Sequence, residues 1–422
     1  MKSGLSFLIA AKRCEITGLE ALALTSALVN LTGQLVHALQ RERGLSNLYL
    51  GSRGSRFGAE REAQIAASGQ AEAALRDCLY SLDTEAAPVG NGARLFSRIA
   101  YVLQGLNALP FLRAQVAQQA WSARQATEAY VRLIAGLLAV VFEAADSAPD
   151  PDISRLLVAR FNFMQGKELA GQERAVGSAL FASGRADSSE QQRLLHLIES
   201  QEHCLRVFTE FSSAAMGTLW AQCQPSTLLA ELERMRRVLC TAAHGAPLDA
   251  AQSPVWFACC SQRVDAMKQV EDQLAHGLQQ ACEQRMAAAR QELATLETLR
   301  PSTEPPRDEA LSFFQDAHNP TPLESATQPS YGLQLQRSML ELVQEQARRL
   351  QSMSEELDTV RASLNERKLV ERAKGLLMAH RQLSEAEAHK TLRQMAMNQN
   401  RRLLEVAEAV LAMADVLPTR PR

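Results

Sequence analysis

The sequence has few aromatic residues and no long apolar run. Phe, Trp and Tyr make up only 5 % of the 422 residues, and strands favour aromatic and β-branched side chains, so a β-rich fold is disfavoured. The longest apolar run extends from Leu133 to Phe142, whereas a membrane-spanning helix needs about 20 apolar residues. We therefore expect no segment that crosses a membrane.

The sequence also lacks paired cysteines, a secretion signal and a large net charge. The eight cysteines form no C-x-x-C pair, and Lys12 and Arg13 interrupt the first apolar residues. This pattern is typical of reduced thiols in a cytoplasmic protein. The formal net charge is −2, so any surface that binds nucleic acid must be local.

Motifs of common enzymes are absent as well. The sequence contains no phosphate-binding loop, nucleophile elbow or H-E-x-x-H zinc motif. His196, Glu199 and His203 share one helical face, which is a pattern that can hold a metal ion. A surface pattern is the favoured interpretation of this lone cluster, and a metal-dependent helical enzyme is the alternative. We predict no enzyme, no metal site and no cofactor.

What the sequence does contain is helical periodicity. Apolar residues recur at helical spacing through residues 1–300, which predicts about seven or eight long helices packed in bundles. One of these helices is predicted over residues 188–222. The sequence thus predicts an all-α fold.

A proline-rich stretch and a heptad repeat follow this region. Six of the fifteen prolines fall between Pro301 and Pro329, and proline interrupts helices, so residues 301–332 are predicted to be a linker. Over residues 333–364, apolar residues seven apart favour a dimeric coiled coil. The alternative is one amphipathic helix that packs on the large N-terminal region.

A Glu-Arg pair occurs twice in the large region. Glu42-Arg43 lies within Q-R-E-R-G-L-S and returns as Glu173-Arg174 within a similar segment rich in small residues. Two guanidinium groups from two helices would repel each other unless an anion lay between them. The alternative interpretation is that each Glu-Arg is an ordinary solvated pair or part of an interhelical salt bridge.

The Q-x-E-R-G-x-S motif that ends at Ser46 resembles the nitrate- and nitrite-sensing (NIT) domain. This resemblance implies two four-helix bundles over residues 1–300 and a nitrate or nitrite ion bound between facing arginines. It implies Arg43 and Arg174 as ligand residues, with Arg236 or Arg237 as a weaker third.

The C-terminal segment, 365–422, carries A-K-G-L-L-M, S-E-A-E-A, L-R-Q-M-A and V-A-E elements in order and is locally basic. Together they resemble the ANTAR domain, a three-helix RNA-binding module of antitermination regulators. The resemblance and the local charge favour phosphate or base contacts. DNA binding through a helix-turn-helix and a plain dimerisation module remain alternatives. The candidate RNA-binding residues are Lys374, Gly375, Arg393, Arg401 and Arg402.

The predicted architecture is an N-terminal double four-helix-bundle sensor, a coiled-coil connector and a small C-terminal three-helix bundle. The resemblances imply a cytoplasmic homodimer that binds nitrate or nitrite and promotes antitermination at nitrate-assimilation genes by binding a leader mRNA hairpin. Ligand binding is expected to relieve inhibition of the RNA-binding domain. The alternative is a helical sensor of another small anion that acts as a DNA-binding or protein-binding signalling adaptor.

Overall fold

The computed structural model describes the chain in segments separated by short gaps. Within these segments the regular elements are helices, apart from one isolated bridge between Arg185 and Pro247. The all-α prediction is confirmed. The described residues are 4–82, 92–148, 150–298, 331–381, 383, 385–399 and 401–414.

Nine of the described helices lie before the predicted linker and form what we call the N-terminal body. They are α1 (Gly4–Gly51), α2 (Gly58–Tyr80), α3 (Gly92–Ala117), α4 (Ala123–Ser147), α5 (Pro151–Ser183), α6 (Ser188–Phe211), α7 (Ala214–Gln222), α8 (Ser226–Thr241) and α9 (Gln252–Thr298).

The periodicity over residues 188–222 predicts one helix, and the structure has two. The reason is a local cap: the Ser213 hydroxyl accepts a hydrogen bond from the Met216 amide at 3.3 Å. Ser212, just before it, has an extended backbone. A capping serine satisfies an amide that the first helical turn leaves unpaired, so a new helix begins here.

Two apolar cores divide the N-terminal body. The first contains side chains of α1 to α4, the first half of α5 and most of α9. The second contains the second half of α5, with α6, α8 and the beginning of α9. Because α5 and α9 contribute to both cores, they connect the two halves.

Helix α1 is long and apolar enough to span a membrane by length and composition alone. However, 56 % of its most apolar window is buried inside the protein. Leu28, Val29 and Leu35 are among its fully covered residues. The apolar character of α1 is therefore explained by its place in the first core.

The C-terminal helices are α10 (Tyr331–Arg381), α11 (Glu385–Gln399) and α12 (Leu403–Ala414). The end of α10 packs with α11 and α12 around a third core, which includes Leu377, Leu392 and Val406. We call this part the C-terminal bundle. Most of the predicted linker, 301–332, lies outside the described residues.

The predicted coiled-coil segment belongs to α10, and its last heptad packs within the chain. Val360 and Leu364 lie in the first core of the N-terminal body, and Leu357 is buried. Leu350, one heptad earlier, is exposed. For the last heptad the structure thus has the alternative arrangement, an amphipathic helix on the body, and a dimeric coiled coil stays a prediction.

Candidate functional site

Arg43 of α1 and Arg174 of α5 meet where the two helices approach each other. A Cβ atom added at Gly171 would lie 3.0 Å from Nη2 of Arg43, and one added at Gly44 would lie 3.5 Å from Nη2 of Arg174. Each guanidinium therefore lies against a glycine of the opposite helix. Small residues at these positions leave room for both cations between the helices.

Arg43 is buried, and both of its terminal nitrogens bind one carboxylate. Its Nη1 donates to Oε1 of Glu168 in a short ion pair, and its Nη2 donates to Oε2 at 3.2 Å. The same carboxylate accepts hydrogen bonds from the side-chain amides of Gln40 at 2.8 Å and Gln172 at 2.9 Å. Glu168 is a functional candidate that sequence analysis missed. It lies on the α5 face that meets α1, one turn before Gln172 and two turns before Ala175.

Arg174 is mostly buried and has a different set of partners. Its Nη1 donates to the Ser261 hydroxyl at 2.9 Å, and its guanidinium lies 4.8 Å from the ring centroid of Phe257. Among the described residues, no carboxylate lies within 4.0 Å of it. Burial lowers the pKa of Arg174, and the positive charge of Arg43 lowers it further. An anion at this position would offset both effects.

Arg236 and Arg237 have different surroundings on α8. Nε and Nη2 of Arg236 each donate to the Glu173 carboxylate at 2.7 Å, and its Nη1 donates to Glu233 at 2.7 Å. Burial disfavours the charge of Arg236, but hydrogen bonds to Glu173 raise its pKa above the ordinary value. Arg237 is exposed. The structure thus brings Arg236 inward and leaves Arg237 outside.

The first half of the body contains a matching clamp, by which we mean a buried glutamate held by two nitrogens of one arginine, as Glu173 is held by Arg236. Nε and Nη2 of Arg113, on α3, donate to the Glu42 carboxylate at 2.8 and 2.9 Å, and the Tyr130 hydroxyl donates to it at 2.8 Å. Glu42 is fully buried. In both halves, then, the Glu of the Glu-Arg pair faces the core of its own half, while Arg43 lies against Gly171 of α5 and Arg174 against Gly44 of α1.

The candidate RNA-binding residues divide into two groups. Lys374 is buried and donates to Glu371 at 2.9 Å, and Arg393 contacts both carboxylate oxygens of Glu199 on α6 at 2.5 and 2.6 Å. The exposed group is Gly375, Arg401 and Arg402, of which Arg401 pairs with Glu405 at 3.0 Å.

The face of α6 that carries His196 and Glu199 packs against the C-terminal bundle. The rings of His196 and His389 lie 4.8 Å apart between centroids. Burial lowers the pKa of His389 to about 4, and the neighbouring His196 and Lys374 add to that effect. The histidine and glutamate pattern seen in the sequence therefore belongs to an interface within the chain.

Helix α10 makes further polar contacts with α4 and α5. Arg367 donates to Oδ1 of Asn162 at 3.1 Å and lies 4.8 Å above the Phe161 ring. Lys368 pairs with Asp146 at 2.6 Å. Contacts made by α10 and by α11 thus hold the C-terminal bundle on the N-terminal body.

Comparison with known families agrees with this division. Residues 34–279 match the family described as nitrate and nitrite sensing, and residues 358–411 match the ANTAR domain. The chain belongs to the nitrate and nitrite sensing family. The first matched range contains all four arginines predicted for the ligand, and the ANTAR range contains all five candidate RNA-binding residues.

Relatives of this NIT–ANTAR chain match it along almost its whole length. The nitrate regulatory protein of Klebsiella oxytoca is 34 % identical over 418 residues, which cover 98 % of this chain and 96 % of that protein. The solved structure of the NasR transcription antiterminator is 32 % identical, with a TM-score of 0.60. That alignment covers 97 % of this chain and 99 % of that chain.

Proposed function

We propose that this NIT–ANTAR protein is a nitrate- or nitrite-responsive transcription antiterminator. The N-terminal body binds the oxyanion, and the C-terminal bundle binds a hairpin in the leader mRNA of nitrate-assimilation genes. The observation that carries the proposal is the convergence of Arg43 and Arg174 at the approach of α1 and α5. The protein acts without catalysis or a cofactor, as a homodimer in the cytoplasm.

Nitrate and nitrite fit the chemistry of this pair. Each is a small planar anion, and a guanidinium presents parallel N–H donors to planar oxyanions. Arg174 is mostly buried and close to the positive charge of Arg43. An anion between the two guanidiniums is therefore attracted by both charges. Arg236 contributes by holding Glu173 next to Arg174, and the exposed Arg237 contributes least.

Contacts between the bundle and the body support inhibition in the ligand-free state. Lys374 is buried and Arg393 is paired with Glu199, so two candidate RNA contacts are occupied within the chain. Ligand can activate only by binding the released arrangement more tightly than the docked one. A coupling of about 1–3 kcal/mol would give roughly 5- to 150-fold control.

Titration calorimetry with nitrate tests the sensor half of the proposal. Arg43→Ala and Arg174→Ala each remove charge-assisted hydrogen bonds, so each should raise Kd by about 10- to 100-fold. Arg234→Ala is the matched control because Arg234 is an exposed arginine of α8 that pairs with Glu231. Wild-type affinity in both Arg43→Ala and Arg174→Ala would refute the assigned site, and tighter binding of another small anion would favour the alternative sensor.

RNA binding by the C-terminal part is tested with leader hairpins and competing double-stranded DNA. A chain that lacks residues 1–332 should antiterminate without nitrate, because the body that holds the bundle and pairs Glu199 with Arg393 is gone. Arg402→Ala should weaken hairpin binding and reduce its salt dependence. A folded but inactive truncation would show that the body does more than inhibit, and preference for DNA would favour the helix-turn-helix alternative.

A further inference from the structure

We infer that the Glu168 carboxylate is a built-in competitor of the oxyanion ligand, which occupies the Arg43 fork in the ligand-free protein and is displaced when nitrate or nitrite binds. This inference rests on the proposed function and deepens it. It gives Glu168 two roles. The carboxylate lowers the affinity for the ligand by competing for Arg43, and its displacement is transmitted through α5 to the rest of the body.

The geometry at Glu168 is that of a bound planar oxyanion. A carboxylate has two oxygens and one delocalised negative charge in a plane, as nitrite does. Its oxygens accept from both terminal nitrogens of Arg43 and from the amides of Gln40 and Gln172. The side chains of Arg43 and Glu168 are almost fully buried, so water does not weaken this interaction.

Occupation of Arg43 limits what a ligand can reach. With Glu168 in place, its carboxylate occupies the two-pronged fork of Arg43 and neutralises its charge, so an incoming anion can bind Arg174 but cannot take that fork. When Glu168 leaves, one anion can bind both guanidiniums. The free energy gained when the ligand binds both guanidiniums is then reduced by the free energy needed to break the Arg43–Glu168 pair. The measured Kd reflects what remains.

Neighbouring contacts connect this exchange to the C-terminal bundle. Lys167, beside Glu168, forms a buried ion pair with Glu271 of α9, so α5 stays attached to α9 when Glu168 leaves α1. Less than two turns earlier on α5, Phe161 and Asn162 contact Arg367 of α10. The same helix therefore carries the displaced carboxylate and part of the surface that holds α10.

The decisive experiment is nitrate titration of the full chain with Glu168→Gln. The amide keeps the shape of the side chain and removes its charge, so the competing ion pair is weakened. We expect Kd to fall by about 10- to 100-fold. An unchanged or higher Kd would overturn the inference, because it would mean that Glu168 only orients Arg43 for the ligand.

Glu42→Gln is the matched control for the charge change. Glu42 is a buried carboxylate next to Arg43 in sequence, but it binds Arg113 and Tyr130 and does not contact the Arg43 fork. We expect no gain in affinity from Glu42→Gln, and an equal gain would trace the effect to net charge and overturn the inference. Failure of the wild type itself to bind nitrate or nitrite would instead defeat the proposed function.

A second variant keeps the test valid if Glu168→Gln unfolds. Glu168→Ala vacates the space of the carboxylate, which formate has the size and charge to fill. Formate should therefore compete with nitrate in Glu168→Ala and have no such effect in the wild type. Equal behaviour of the two proteins in formate would contradict the inference.

Discussion

The two copies of the Glu-Arg pair show how one local pattern serves two purposes. Glu42 and Glu173 are equivalent: each is buried and held by a two-pronged arginine from another helix of its own half. Arg43 and Arg174 differ, because Arg43 is neutralised by Glu168 and Arg174 rests on a hydroxyl and an aromatic ring. The repeat thus preserves the scaffold and allows the ligand-facing ends to diverge.

A second difference concerns what each half carries. Helix α6 of the second half holds the C-terminal bundle through His196 and Glu199. Helix α2 has the same place after α1 that α6 has after α5, and its main described contacts are with α1. Docking of α11 through α6 is therefore a property of the second half, whereas α10 docks on the first core and on α4.

The largest expected effect comes from breaking the two scaffold clamps. Arg236→Ala leaves the Glu173 carboxylate buried without its main partner, which should lower the free energy of unfolding by about 3–5 kcal/mol. Arg113→Ala should cost less, because the Arg113 side chain is 16 % exposed against 8 % for Arg236. Urea unfolding monitored by circular dichroism gives both values.

Two controls make this result specific. Arg234→Ala, at an exposed site, should change stability by less than about 0.5 kcal/mol. The double variant Glu173→Leu with Arg236→Met removes both charges and should recover most of the loss. If Arg113→Ala proves harmless, the equivalence of the two clamps is wrong.

A smaller effect is expected where α5 and α9 approach each other closely in the second half. A Cβ atom at Gly177 would lie only 2.3 Å from the indole of Trp256, which is fully buried. Gly177→Ala should therefore destabilise the protein by about 1–3 kcal/mol. Thermal melts check this value against Gly277→Ala in α9. There the added carbon would meet no atom within 4 Å apart from the neighbouring backbone of its own helix, and a gain of up to about 1 kcal/mol is expected.

Docking on the second half should depend on pH. The pKa of His389 is lowered to about 4 in the docked bundle and returns to about 6.5 when the residue is exposed. Docking is thus fully favoured above about pH 6.5 and weakens as the pH falls towards 4, because the undocked state binds the proton more readily. Hairpin binding without nitrate should rise at pH 5.5, and His389→Gln should flatten this dependence.

The smallest effect is expected at the exposed ion pair of the docking face. Arg393 and Glu199 are both about half exposed, and such pairs contribute about 0.2–1 kcal/mol. Glu199→Gln should therefore raise nitrate-free hairpin binding by no more than about fivefold. The same measurement on Glu202→Gln, an exposed neighbour, should show no increase.

Sequence periodicity predicted the helical fold because apolar spacing reports directly which helix faces are buried. It did not distinguish a coiled coil from a helix packed on its own chain, since the seam with Val360 and Leu364 satisfies either partner. The Ser212–Ser213 break in the predicted 188–222 helix depends on a single hydroxyl, which periodicity does not register.

The candidate site was only partly accessible from sequence. The Glu-Arg repeat and the family resemblance pointed to Arg43 and Arg174. The pairing of Glu42 with Arg113 depends on how far α3 is shifted along α1, and that shift is set by tertiary packing. Helical spacing places Glu168 on the side of α5 that carries Gly171, but only the structure shows that its partner is Arg43.

Helix α10 is a single rod of 51 residues, or about 75 Å at 1.5 Å per residue. Val360 and Leu364 lie within it, upstream of the bundle and without an intervening turn. A bundle that lifts away by tilting this rod must also expose these two apolar side chains, at a cost of about 1.5–3 kcal/mol each. Freeing the RNA-binding end and uncovering an apolar strip are therefore the same movement, and whatever covers that strip afterwards stabilises the released form.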